Sequence, residues 1–268
     1  MKKYRQIFKE HKAVIGMIHL NALPGTPLND KNIDQITAIA LEELAIYEKS
    51  GVHAILIENM HDVPYHNRIV GDEVIASMSV IASNIAKHCK LPMGIQVLAG
   101  ANKSALAIAL AAGLQFIRAE AFVYGHLADE GWMHADAADL LRYRKFIGAE
   151  HIAIFTDIQK KHASHAASSD LRVDEHAKAA EFFLSDGLVL SGRSTGEEVD
   201  TQDLKEVKKQ SSLPILIGSG VDQENIHRLK DLADAFIIGS HFKKSGHWAN
   251  AVDADRVIAF MNTFHEIN

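Results

Sequence analysis

Eight times along the chain a short apolar run is followed by a longer segment whose apolar residues recur at helical spacing, and nothing else in the sequence limits the fold so tightly. The first run spans 13–19. Residues 33–49 follow as a helix, with Ile33, Ile36, Ala40, Leu44 and Tyr47 on one face. Gly51 ends that helix, and 54–57 reads as a buried strand. Helices over 72–89, 103–112, 136–147, 173–184, 201–210 and 225–232 lead in turn to strands over 93–98, 116–118, 152–155, 188–190, 215–217 and 235–238. A helix over 252–264 closes the series. Gly51, Gly113, Ser185-Asp186-Gly187 and Ala233-Asp234 put small or turn-forming residues just before four of the strands, where the chain must leave a helix and reverse.

These strands are apolar on both faces, as suits a parallel sheet covered by helices. With 268 residues, 47% of them hydrophobic, the chain can close such a sheet on itself as one domain over 1–268. The expected fold is therefore α/β, a single (β/α)8 TIM barrel. A doubly wound open sheet is the rival, but it rarely needs eight such units without a second domain.

Several function classes are disfavoured. A formal charge of −6, with no basic run, argues against a nucleic-acid partner. The single cysteine, Cys89, cannot form a disulfide within the chain, and a reducing cytoplasm fits. The start, Met1 to Gln6, is polar with no apolar signal core behind it. The longest apolar stretches fall short of a membrane span of roughly 20 residues, so any membrane association would be peripheral. Sixteen histidines are scattered. His61/His66, His162/His165 and His241/His247 lack the spacing of a strong zinc site, and no metal is expected. No Gly-rich dinucleotide fingerprint follows an early strand, so no cofactor is expected either.

In a barrel of this kind chemistry gathers at the C-terminal ends of the strands. Read there, the chain is polar: His19 and Asn21 follow the first strand, Glu58 and Asn59 the second, and Gln96 lies in the third. Arg118 and Glu120 come at the fourth, Asp157 at the fifth, and Ser191, Gly192 and Arg193 after the sixth. The seventh strand runs into Gly218-Ser219-Gly220-Val221 and the eighth into Gly239-Ser240. Glycines let a ligand approach the backbone, and exposed amides at a helix start favour an anion. Two such turns on adjacent strands point to a phosphate-binding corner, with Ser191 and Gly192 beside it. A turn over 242–246 is expected to add the short extra helix of a barrel phosphate site; ordinary turn chemistry is the plainer reading.

Arg118 and Glu120, two apart, share one side of their strand, either as a carboxylate held by arginine beside a substrate or as a buried ion pair. Glu58 and Asp157 add carboxylates that could divide acid and base roles. Lys160 and Lys161 follow, as solvated loop charge, as phosphate ligands, or as an amine able to form an imine. His19 is placed to move protons or to serve as a hydrogen-bonded structural group. The loop over 21–27 is shaped by Pro24, Gly25 and Pro27, and 121–135 is long enough to act as a lid.

The run from Val14 to Leu20 into Leu23-Pro24-Gly25-Thr26-Pro27 resembles the N-terminal signature of the BtpA/SgcQ family. Gly51-Val52-His53-Ala54 with Glu58-Asn59, Pro92 to Leu98, Phe116-Ile117-Arg118, and Asp157 with Lys160-Lys161-His162 extend it. Ser191-Gly192 with Thr195-Gly196, and Gly218-Ser219-Gly220-Val221 with Phe242-Lys243, complete it. The resemblance implies a barrel enzyme like the ribulose-phosphate-binding barrels. Some members are associated with photosystem I biogenesis; others look like parts of sugar-phosphate pathways. It implies no established catalytic set.

The expectation is an enzyme acting on a phosphorylated sugar or related metabolite, by proton-transfer isomerisation, epimerisation or lyase chemistry. Gly218, Ser219, Gly220, Val221, Gly239, Ser240, Ser191 and Gly192 would hold the phosphate. Glu58, Glu120, Asp157 and His19 would handle protons, and Arg118 and Lys161 developing negative charge. A non-catalytic photosystem-assembly or stability factor and a metal-assisted hydrolase using His19 are the alternatives. A homo-oligomer is compatible with all three.

Overall fold

The computed structural model describes residues 1–9, 12–192 and 197–267. Eight parallel strands close into a barrel: β1 (Ala13–His19), β2 (Ala54–Glu58), β3 (Met93–Gln96), β4 (Phe116–Ala119), β5 (Ala153–Asp157), β6 (Gly187–Leu190), β7 (Ile215–Ile217) and β8 (Ala235–Ile238). Each pairs with its sequence neighbours, and β1 closes the ring by pairing β2 on one side and β8 on the other, Ile15 opposite both Ala54 and Ile237.

The intervening helices are α1 (Ile33–Ser50), α2 (Asp72–His88), α3 (Asn102–Ala112), α4 (Ala137–Phe146), α5 (Val173–Phe182), α6 (Thr201–Gln210), α7 (Ile226–Leu229) and α8 (Ala254–Glu266). Asn32 and Gln35 cap α1 reciprocally, and Gly51 ends it at φ 77°, a left-handed conformation costly for other residues. α7 is a single turn, shorter than the 225–232 expected. The length is lost mainly at its end, where the Leu232 N–H turns back to the Leu229 carbonyl (2.9 Å) in a tighter i to i+3 bond. Among the described residues no helix is long and apolar enough to cross a membrane.

Two apolar layers hold the barrel. One lies between strands and helices. The other fills the interior with Ile15, Met17, Leu56, Val189, Leu216 and Ile237 around Phe116 and Phe155. The two rings fit because neighbouring strands present glycine. A methyl group on Gly94 would sit 2.2 Å from Phe116, and one on Gly187 2.7 Å from Phe155. The floor is closed by the N-terminus. A short helix, Lys2–Ile7, carries Tyr4, Ile7 and Phe8 under the barrel.

Candidate functional site

The alternation that turns Ala13, Ile15 and Met17 inward on β1 brings His19 inward after them. The same parity delivers Glu58 from β2, Gln96 from β3, Arg118 and Glu120 from β4, Asp157 from β5 and Ser191 after β6. β7 and β8 end in Gly218 and Gly239. The result is a cavity of about 590 Å³ at the C-terminal mouth. His19, Glu58, Gln96, Arg118, Glu120, Lys161, Gly218, Ser219, Gly220, Val221, Gly239 and Ser240 all line it. Asp157, Ser191 and Gly192 stand behind its wall, whereas Arg193, Thr195 and Gly196 lie outside the described residues.

Arg118 is not paired with Glu120. Its Nε and Nη2 donate to the two oxygens of Asp157 at 2.9 and 2.7 Å, both side chains being buried. Residues i and i+2 of one strand project in parallel, so the neighbouring strand supplies the better partner. Glu120 instead accepts from Gln96 Nε2 (3.0 Å) and lies 3.2 Å from Lys160 Nζ, which also approaches Glu130 at 3.8 Å. Lys161, the next residue, makes no ion pair among the described residues. Burial, then the nearby Arg118 charge, lowers its pKa.

Burial likewise drives the His19 pKa down to about 3, so the ring is neutral at physiological pH. Its Nδ1 lies 3.0 Å from the Trp248 carbonyl, an acceptor only, so Nδ1 carries the proton. Nε2 is then a lone pair, 3.7 Å from Glu58 Oε2 and 3.3 Å from where a methyl group on Gly239 would sit. Burial raises the pKa of Glu58 against the opposing pull of Arg118 and Lys161, favouring its proton-bearing form. The Nε2 lone pair and the Glu58 carboxyl group thus face one another at the mouth.

The glycine-serine corner is tightly built. A methyl group on Gly218 would come within 2.7 Å of Ser191 Oγ and 3.0 Å of Arg118 Nη2. Gly220 holds φ 72°, and a methyl group there would meet the Glu197 carbonyl at 2.0 Å. Among the described residues, the buried hydroxyls of Ser191 and Ser219 have no hydrogen-bond partner, nor does Gln96 Oε1. Orphaned polar atoms of this kind are expensive unless a ligand or water meets them. The extra helix expected over 242–246 is instead a pair of 3-10 turns, Ser240–Phe242 and Lys244–Gly246. Lys243, between them, is buried against Glu43 of α1, at 2.7 and 2.9 Å, and turns its charge away from the corner.

A small antiparallel sheet covers one side. Strands His126–Ala128 and Gly131–Met133 form a hairpin within the segment expected to act as a lid, and Ala163–Ser164 from the β5 loop joins its edge. The hairpin turn lends Asp129 and Glu130 to the cavity lining. The loop over 21–27 does not reach the main cavity. It is anchored through the Leu23 N–H to Asp62 (2.8 Å). Tyr65, His241, Trp248 and Arg256 also line the mouth and were not singled out from sequence as site residues. Nothing in their local patterns distinguishes them, since they come from loops and from the first turn of α8. Among the described residues no group of three or more His, Cys, Asp or Glu side chains is arranged to hold a metal.

The profile of the BtpA family matches residues 10–266. An uncharacterized mitochondrial protein of Caenorhabditis elegans is 44% identical over 253 residues, covering 92% of this chain and 91% of its own. The photosystem I biogenesis protein BtpA of Synechocystis is 33% identical over 262 residues, 97% of this chain and 91% of its own. In fold, the chain is similar to the phosphoribosyl anthranilate isomerase of Thermus thermophilus, with a TM-score of 0.60 at 12% identity over 96% of this chain and 100% of that one. A tryptophan synthase structure from Mycobacterium tuberculosis gives a TM-score of 0.59 at 11% identity over 96% and 92%.

Proposed function

The chain belongs to the BtpA family, and from that premise we propose that it is a barrel enzyme acting on a phosphorylated sugar or related phosphorylated metabolite. The reaction class is proton-transfer isomerisation or epimerisation, or lyase chemistry. The observation that carries this reading is the pairing, in one cavity, of an unsatisfied glycine-serine corner with the His19–Glu58 couple. The phosphoryl group docks at Gly218-Ser219-Gly220-Val221 and Gly239-Ser240, with the Ser219 hydroxyl donating to it. Ser191 and Gly192 back that wall. Glu58, whose raised pKa makes its carboxylate the stronger base of the couple, moves the proton between carbon and oxygen, and the neutral His19 Nε2 accepts a hydrogen bond from the ligand beside it. Asp157 fixes Arg118, so its role is positioning, and Arg118 supplies the positive field. The phosphorylated compounds named in structural neighbours such as phosphoribosyl anthranilate isomerase agree with this substrate class. The lone Cys89 accords with a reducing compartment such as the cytoplasm.

Thermal unfolding in the presence of inorganic phosphate and a panel of phosphorylated sugars tests the reading. Phosphate raises the midpoint, and Ser219→Ala weakens its binding about tenfold, the worth of one hydrogen bond to a charged group. A flat response to phosphate and to every phosphorylated sugar would end it. An assembly-factor role draws on the name of the Synechocystis relative and on the exposed Phe146, Phe182 and Leu184. In that case Glu58→Gln and Ser219→Ala leave the cellular phenotype intact.

A further inference from the structure

The cations around the mouth are unevenly compensated. Arg118 is held by both oxygens of Asp157, and Lys160 takes Glu120 and Glu130. Lys161 lines the same cavity, largely buried, with no carboxylate in ion-pair reach among the described residues. Its neighbours in charge are the Arg118 cation, which disfavours a second positive centre, and the carboxylates of Glu58, Asp157 and Glu120, which oppose that effect from beyond ion-pair distance.

We propose that Lys161 is a nucleophile that forms an imine with a carbonyl carbon of the ligand, so that the substrate class is a phosphorylated aldehyde or ketone. This rests on the reading that the glycine-serine corner holds the phosphoryl end. Burial and the Arg118 charge shift Lys161 towards its neutral amine, whereas the two carboxylates beside Lys160 favour the protonated form of that residue.

The sequence of bonds uses only groups already in the cavity. The Lys161 Nζ lone pair adds to the carbonyl carbon while the oxygen takes the Glu58 proton. The resulting carboxylate removes a proton from the new ammonium, leaving a neutral carbinolamine. Glu58 then returns that proton to the hydroxyl, which departs as water as the nitrogen lone pair closes the C=N bond. Amine and carbonyl have become iminium and water, with Glu58 left ionised beside the new positive charge and no oxidant or reductant consumed. The iminium withdraws electrons from the adjacent carbon, and the Glu58 carboxylate left ionised is the base for its proton. A cavity of about 590 Å³ takes a ligand of this size whole.

Pyridoxal 5′-phosphate is a phosphorylated aldehyde, and it probes Lys161 whatever the natural substrate is. The full chain is incubated with it at low molar excess, reduced with borohydride and mapped by peptide mass spectrometry, with unphosphorylated pyridoxal and added inorganic phosphate as parallel arms. The expected result is a reduced adduct on Lys161, formed about tenfold faster than on the exposed lysines, because the cavity holds it beside the glycine-serine corner and burial leaves more of its amine free. Inorganic phosphate slows it, and pyridoxal labels the same residue more slowly. Lys161→Arg abolishes this adduct while the protein is still stabilised by phosphate. Labelling confined to Lys160 and surface lysines, with Lys161 unmodified, overturns the proposal. Equal labelling of Lys161 by both aldehydes, without competition from phosphate, upholds the imine and removes the phosphate corner from the reading.

Discussion

Asp157 commits both carboxylate oxygens to Arg118 in a setting that solvent barely reaches, and that decides which rim carboxyl is left to move a proton. Glu120 is engaged by Gln96 and Lys160; among the described residues Glu58 has only His19 within ion-pair distance. Removing one partner of a buried pair strands the other charge. Arg118→Leu is therefore expected to cost about 3–5 kcal/mol in denaturant unfolding, while Arg118→Leu with Asp157→Leu recovers much of the loss. A double variant no more stable than the single one would show that Asp157 has another source of support. His19, Glu58, Gln96, Arg118 and Glu120 are legible in the sequence because they sit at the C-terminal ends of the strands, where a barrel gathers its chemistry; parity is explicit only for Arg118 and Glu120, two residues apart. Who pairs with whom was not readable, since that depends on the register between β4 and β5. Nor does sequence separate Lys160 from Lys161. Both sit in one loop, and only the surrounding carboxylates distinguish them.

At the level of elements, the cover over the mouth is fastened from outside itself. Arg68, in the loop between β2 and α2, donates to Asp136 at 2.6 Å and to the carbonyls of Gly100 (3.1 Å), Ala121 (2.8 Å) and His134. It does so from a backbone at φ 63°, a strained setting for a side chain of this size. Asn67 adds bonds to the carbonyls of Glu130 and Trp132, both at 3.1 Å. One segment thus ties down the hairpin, the start of α3 and the approach to α4. Arg68→Ala is expected to speed amide exchange across 126–133 by at least about tenfold while leaving β1 and β2 protected, because a local opening need not involve the barrel. Uniform acceleration throughout the chain would mean that Arg68 supports the whole fold instead. The segment 121–135 was recognisable as a cover by its length alone. Its hairpin was not, since three-residue strands are too short to show an alternation, and their partner Ala163–Ser164 lies in another loop.

The molecule as a whole divides along the barrel axis, with polar chemistry at the mouth and hydrocarbon at the floor. Eight repeats of strand and helix made the barrel legible because each repeat states the same periodicity. The floor carries no repeat, and its polar opening residues conceal it. Met1 to Gln6 is polar in sequence and stands outside the eight repeats, yet Tyr4, Ile7 and Phe8 are buried in the interior core, and Tyr4 Oη donates to the Asp234 carbonyl at 2.5 Å. Phe8 is the centre of this plug, with ring centroids 4.7 Å from Tyr4, 5.8 Å from Phe116 and 6.2 Å from Phe155. Those last two rings occupy the space vacated by Gly94 and Gly187, so they cannot spread to fill a void beneath them without losing that fit. Phe8→Ala should therefore lower stability by about 3–5 kcal/mol, as truncation of a buried aromatic does. Phosphate affinity should stay unchanged, because the floor and the glycine-serine corner lie at opposite ends of the strands. Urea unfolding paired with phosphate titration of the same variant reads both quantities. A loss of phosphate affinity in a protein still folded would mean that the packing of Phe116 and Phe155 sets the position of Arg118 and Asp157 two residues above them, joining floor and mouth through the alternate residues of β4 and β5.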